Sequence, residues 1–161
     1  MTVISIEYHD VVRPGAPDSS GFLGSGPASY KLEIGLFERH VRMICDRVPA
    51  TSLTALDLLS GSPARGVLFT FDDGGISAST IIAPTLERFG ARGHFFVTTD
   101  RIGTPGFMTA DQLRDLAKRG HVIGSHTCSH PPLMARCSDS QLRSEWGEAQ
   151  RRWRRFLECR P

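Results

Sequence analysis

The chain has 161 residues, 40% of them hydrophobic and 22% charged, a size and composition that suit one domain with a real core and exclude wholesale disorder. It contains no apolar run of about 18 residues, which excludes a membrane-spanning helix. The net charge of +2 points to no particular charged partner.

The opening residues Met1 to Tyr8 lack a basic start, and Glu7 interrupts their apolar run. That is not a secretory signal, so a cytoplasmic location is expected. Val3 to Tyr8 alternates like a strand. Residues 13–29 are rich in glycine and proline and read as a long, functional loop. Phe37, Val41 and Ile44 follow helical spacing, with Leu36 and His40 beside them. A strand around Thr51, Ser52 and Leu53 is an open alternative. Val67 to Phe71 is a buried strand that ends at the turn Gly74-Gly75. Ile82, Leu86 and Phe89 mark a helix closed by Gly90, and Pro84 should kink it or sit in its first turn.

The plan then repeats. His94 to Thr98 is a strand. Thr109 and Gln112 form a capping box for a helix carrying Leu113, Leu116 and Ala117, which Gly120 stops. His121 to Gly124 is a short strand. Ser138 and Gln141 open a last helix with a core stripe of Leu142, Trp146, Ala149, Trp153 and Phe156. Arg151, Arg152, Arg154, Arg155 and Arg160 crowd this end. They read as a solvated helix face, because no nucleic-acid-binding fold accompanies them. Strand and helix alternation of this kind means a parallel α/β sheet or barrel. A full eight-unit barrel takes about 250 residues, so only part of one fits here. Cys45, Cys128, Cys137 and Cys159 contain no Cys-x-x-Cys pair and are expected to be reduced thiols.

Ligands in parallel α/β folds bind at the carboxyl ends of strands. Those ends hold Tyr8-His9-Asp10, Asp72-Asp73-Gly74-Gly75, Thr99-Asp100 and the run Ser125 to Pro131. His126 and His130 are four apart, a spacing that on a helical turn puts both imidazoles on one face to clamp a metal. Two exposed loop histidines would look the same. Asp72 and Asp73 are adjacent at the end of a buried strand. Two such carboxylates repel unless a cation compensates, although an Asp-Asp-Gly turn is itself common. One carboxylate and two imidazoles make a three-ligand divalent site with an open position. The other carboxylate is free to act as a base on water.

Thr70-Phe71-Asp72-Asp73-Gly74 and His126-Thr127-Cys128-Ser129-His130-Pro131 resemble the first two motifs of the polysaccharide deacetylases, the NodB-homology or carbohydrate esterase 4 group. The intervening His94 to Val97, Phe107-Met108-Thr109, Gln112-Leu113, Leu116 and Gly120 to Gly124 fall in register with that family. The likeness spans roughly residues 65–157. It implies a distorted, here partial, (β/α) barrel and removal of N- or O-linked acetyl groups from an acetylated glycan. It implies one divalent metal ion, Zn2+ first among the choices, held by Asp73, His126 and His130, with Asp72 as general base. Cys128 lies between the two histidines at a position the family does not use for metal and reads as a packed thiol. Tyr8-His9-Asp10 resembles an early strand end that supplies the general acid in a permuted branch of exopolysaccharide deacetylases. His9 as that acid and His9 as a plain turn residue both stay open.

The family's third motif would follow the helix ending near Leu157, and Arg160-Pro161 comes too soon to be it. The expectation is a single, incomplete deacetylase-like domain, truncated or completed by another chain. Its uncovered sheet edge would invite self-association. A metal-keeping but inactive fragment and a hydrolase of non-sugar amides are the alternatives. Tyr30, Phe107 and Phe22 are the aromatic residues available to a sugar groove.

Overall fold

The computed structural model describes residues 2–48, 53–61 and 65–158, without the side chains of Thr2, Arg65 and residues 155–158. In chain order its elements are β1 (Thr2–Tyr8), β2 (Val11–Val12), α1 (Ser25–Ala28), β3 (Leu32–Glu33), α2 (Ile34–Arg47), α3 (Ala55–Leu59), β4 (Arg65–Phe71), α4 (Ala83–Arg88), β5 (Gly93–Val97), α5 (Ala110–Lys118), β6 (Val122–Ser125) and α6 (Asp139–Glu158).

Four strands form one parallel sheet in the order β1-β4-β5-β6. The register pairs Tyr8 with Phe71, Phe71 with Phe95, and Phe95 with Ile123. One row of side chains therefore crosses the sheet. Tyr8 and Phe71 stack at 5.6 Å between ring centroids, and Phe71 and Phe95 at 5.1 Å, spacings favourable for offset aromatic pairs. The row fixes the strands longitudinally, because a slip of one residue would turn every ring to the other face. Just beyond it, on the carboxyl side, stand His9, Asp72 and, past the end of β6, His126.

The core gathers Phe37 and Val41 from α2, Phe69 and Phe71 from β4, Leu86 from α4, Phe95 from β5, and Leu113 and Leu116 from α5. The start of β5 is tied by two buried histidines in opposite tautomers. His94 Nε2 accepts from the Ala55 N–H at 2.8 Å while its Nδ1 faces the Phe69 carbonyl at 3.2 Å, so the proton is on Nδ1. His121 Nδ1 accepts from the Gly93 N–H at 3.0 Å, which leaves the proton on Nε2 for Glu87, also at 3.0 Å. Burial lowers both imidazole pKa values below the ordinary one.

Several expectations need correction. Thr51 and Ser52 lie outside the described residues, and Leu53 is not in a strand, although its N–H donates to the Val67 carbonyl at 3.1 Å. Two short parallel strands that the pattern hid, β2 and β3, pair beside the site. The loop of residues 13–29 contains a 3₁₀ turn, Pro17–Ser19, and the one-turn α1. The helix around Pro84 begins as a π turn, Ala78–Ile82, before α4. Proline has no N–H to donate to residue 80, and its ring crowds that carbonyl, which favours the widened turn. In α6 the stripe is rotated. Ala149 is buried and Trp153 packs on the core, but Trp146 is 59% exposed, because Glu145 takes the inward position next to it. The Phe156 side chain lies outside the described residues. Both expected capping boxes form, with Gln112 and Gln141 each accepting at 2.8 Å from the N-cap backbone.

Candidate metal and active site

The polypeptide leaves β4 with its Asp72 N–H still donating to the Tyr8 carbonyl at 3.0 Å, so the first aspartate remains aligned with β1. Asp73 then adopts a left-handed φ of 72°. That conformation is uncommon outside glycine and is tolerated best by Asp and Asn. It turns the second carboxylate away from the first. Asp73 is 2% exposed, and its Oδ1 is buried without a hydrogen-bond partner. The side chains that approach that oxygen are histidines, with His130 Nε2 at 3.3 Å and His126 Nε2 at 3.8 Å.

The two histidines do not lie on a helical turn. They sit in an irregular loop after β6, in which Thr127 (φ 65°) and His130 (φ 60°) are both left-handed. The loop achieves by this bend what helical spacing would have given, with ring centroids 5.2 Å apart. Glu145 of α6 holds it there. Its Oε2 accepts from the Cys128 and Ser129 N–H groups at 2.9 and 2.8 Å, and its Oε1 from the Ser129 hydroxyl at 2.6 Å. Burial alone would raise the Glu145 pKa, but these hydrogen bonds outweigh it and hold the carboxyl below its usual value.

Asp73, His126 and His130 each offer a ligand atom, all within 4.8 Å of one another. A buried, unpartnered carboxylate oxygen is costly, and a cation between it and two imidazoles is what this donor set fits. A second group, Glu7, His9 and Asp72, meets the same distance limit at the ends of β1 and β4. Asp72 Oδ2 stands 3.7 Å from His126 Nδ1. Burial pushes the Asp72 carboxyl above its ordinary pKa; His126 and His9 oppose that rise, and Glu7 and Asp73 add to it. His9 is partly buried, its ring 4.4 Å from that of Tyr30.

Other candidates fall elsewhere. Asp100 faces α6, where it pairs with Arg152 at 2.7 Å and accepts from the Cys128 thiol at 3.3 Å. Cys128 is thereby a packed thiol, its pKa raised by burial. Cys45 and Cys137 are also free thiols, and Cys159 lies outside the described residues. Phe107 is only 6% exposed and backs the site instead of facing it. Arg151, Arg152 and Arg154 are exposed as expected, and Arg152 also pairs with Asp100; the side chains of Arg155 and Arg160 lie outside the described residues.

Asp10 was legible only as the neighbour of His9, yet it organises the floor of the site. It is 2% exposed. Its Oδ1 accepts from Ser20 at 2.6 Å and Ser77 at 2.7 Å, which clips the 13–29 loop to the segment after the Asp-Asp turn. The closeness requires Gly75, where a Cβ would stand 2.0 Å from Asp10 Oδ1. Burial raises the Asp10 pKa against the Ser20 and Ser77 hydrogen bonds.

The family model for polysaccharide deacetylase matches residues 60–161. A Bacillus subtilis protein carrying a polysaccharide deacetylase name, YxkH, is 27% identical over 120 residues, 71% of this chain and 43% of that protein. A chitin deacetylase of Arthroderma benhamiae is 36% identical over 67 residues, 42% of this chain and 18% of that one. The chain thus spans less than half the length of these curated relatives. Among solved structures, the deacetylase PplD of Streptococcus pyogenes superposes with a TM-score of 0.79 at 20% identity, over 98% of this chain and 70% of that one. A de-N-acetylase from Aggregatibacter actinomycetemcomitans gives 0.76 at 20% identity, over 99% and 76%. The sheet is therefore part of the NodB-type α/β fold, and no helix among the described residues is long and apolar enough to cross a membrane. With its family model covering most of the chain, from the segment before β4 through α6, this protein belongs to the polysaccharide deacetylase family.

Proposed function

We propose that this chain is, or is the catalytic part of, a metal-dependent hydrolase that removes acetyl groups from an acetylated glycan, with residues 1–161 acting as one deacetylase-like domain. The observation that carries this reading is the buried, unpartnered Asp73 Oδ1 facing His126 and His130. These three residues would hold one divalent cation, and their mixed carboxylate and imidazole donors suit Zn2+. When bound, such a cation supplies Lewis-acid polarisation of an acyl oxygen and makes water more acidic.

The protein's own groups do the rest. Asp72 accepts a proton as a water oxygen bonds to the acyl carbon. The C–N bond, or C–O bond for an ester, then breaks as His9 delivers a proton to the departing group. The products are acetate and the free amine or hydroxyl. His9 suits this role because it shares the strand-end cluster with Asp72 and lies on a different element from the proposed ligands. Backbone bonds fix Asp72 against β1, so base and acid are held at one edge of the site.

Acetate release from a chito-oligosaccharide tests the reading, with zinc present and with chelator. The parent should release acetate only with metal, and Asp72→Asn should keep the metal while losing most turnover. Equal turnover in Asp72→Asn would remove it from the base role. Parent turnover indifferent to chelator would remove the metal from the reaction.

A further inference from the structure

We infer that Phe22 and Tyr30 are the sugar-contacting rim of this site, a pair of aromatic platforms for neighbouring pyranose rings of a glycan chain; this rests on the deacetylase reading above. The two rings come from one loop but stand beside different imidazoles. Tyr30 lies 4.4 Å from the His9 ring, and Phe22 lies 4.9 Å from the His130 ring. They thus flank the candidate acid and the candidate metal ligand. Tyr30 is 39% exposed and Phe22 is half-buried, so each keeps surface available to a ligand.

The loop that carries them is held far more firmly than a solvent-facing connection requires. Lys31 is 9% exposed, and its ammonium donates to three carbonyls of the loop, those of Pro17 at 2.8 Å, Ser20 at 2.7 Å and Phe22 at 2.5 Å. Asp10 holds the same loop through Ser20, and the Gly21 N–H donates to the Gly106 carbonyl at 2.8 Å. Burying an ammonium and a carboxylate is expensive, so both are spent on fixing these few residues in place. Phe22 is braced further by Phe107, edge-on at 5.1 Å, and by the Arg101 guanidinium, 5.2 Å from its ring centroid. A pre-set apolar ring beside polar catalytic groups fits a ligand with an apolar face and a polar edge, and a pyranose has both. The Tyr30 phenol adds a polar tip. Burial, with the charges of Asp73 and Asp10, raises its pKa and keeps it a hydrogen-bond donor. Two platforms on separate flanks suit a chain of rings and are wasted on a single sugar.

The test is binding of N-acetylglucosamine and of its linear tetramer to the zinc-loaded protein, by calorimetry in an Asp72→Asn background that stops turnover. The tetramer should bind more tightly than the monomer. Tyr30→Ala and Phe22→Ala should each weaken tetramer binding by about tenfold, the worth of a good aromatic contact, with Tyr30→Phe closer to the parent. Ring-proton resonances of both residues should also shift when the tetramer is added to the unsubstituted rim, a measurement that does not depend on the alanine variants folding. No tetramer binding, equal binding by the alanine variants, or ring resonances that stay put would overturn the rim. Acetate release from an aryl acetate, which has no sugar ring, judges the deacetylase reading separately, so the two can fail independently.

Discussion

Replacing Asp10 by alanine should loosen the site from below. The substitution takes the acceptor from two hydroxyls, those of Ser20 and Ser77, which are 2% and 1% exposed. Each oxygen keeps a partner as an acceptor, since Ser20 Oγ receives the Ser77 N–H at 2.8 Å and Ser77 Oγ the Val11 N–H at 3.2 Å. The loss is therefore two buried O–H donors, at about 1–3 kcal/mol each. Removing a buried carboxylate with an unpartnered Oδ2 returns part of that. The net expectation is a destabilisation of about 2–4 kcal/mol. Asp10→Asn keeps Oδ1 as acceptor and should cost about 1 kcal/mol or less. Gly75→Ala supplies a cross-check, because its Cβ would meet Asp10 Oδ1 at 2.0 Å. Alone it should cost about 1–3 kcal/mol through overpacking. Combined with Asp10→Ala it should cost less than the sum, since the clashing atom is gone. Urea unfolding at neutral pH reads all four variants, with chelator in every sample so that metal binding does not shift the midpoint. Asp10→Ala within about 0.5 kcal/mol of the parent, or strict additivity in the cycle, would refute the reasoning.

Other outcomes follow from the same geometry. Glu145→Ala removes three hydrogen bonds from the histidine loop and should weaken divalent-metal affinity by about 10- to 100-fold, as outer partners of metal ligands do; a competition titration with a chromophoric chelator measures this, and unchanged affinity would mean that the loop holds its shape alone. His94 and His121 have folded pKa values below their unfolded ones, so the unfolded chain binds protons first and their stabilisation, complete above about pH 6.5, is lost as pH falls through the folded values. The stability gap between the parent and His94→Gln should accordingly narrow on acidification below that pH, and a gap that widens would reverse the assigned sign. Nitrogen chemical shifts should also find the proton on Nδ1 of His94 and on Nε2 of His121.

The site was legible where chemistry and strand position coincide. Asp72 and Asp73 close a strongly apolar strand, and the register of Tyr8, Phe71, Phe95 and Ile123 brings the marked strand ends to one edge of the sheet. What stayed hidden depends on contacts distant in sequence. Glu145 reads as one more acid on a charged helix until α6 is docked with that face inward, and the same docking turns Trp146 to solvent. Lys31 and Asp10 gain their roles only when the glycine-rich loop folds back, because their partners are backbone carbonyls and common serines. The histidine spacing marked two rings that do come together, though not on a helical turn. Its four-residue step is met by two left-handed residues in a loop, a conformation no periodicity announces. The short pair β2 and β3 was invisible for a related reason, since two-residue strands leave no alternation to detect.

The claim on which the account turns is that Asp73, His126 and His130 bind one divalent metal ion. Equilibrium dialysis against zinc followed by elemental analysis tests it directly, on the parent and on the His126→Ala, His130→Ala double variant. The account predicts one tightly held ion per chain in the parent and loss of that ion in the double variant, with both proteins folded by far-ultraviolet circular dichroism. A double variant that retains as much zinc as the parent, or a parent that retains none, would contradict it.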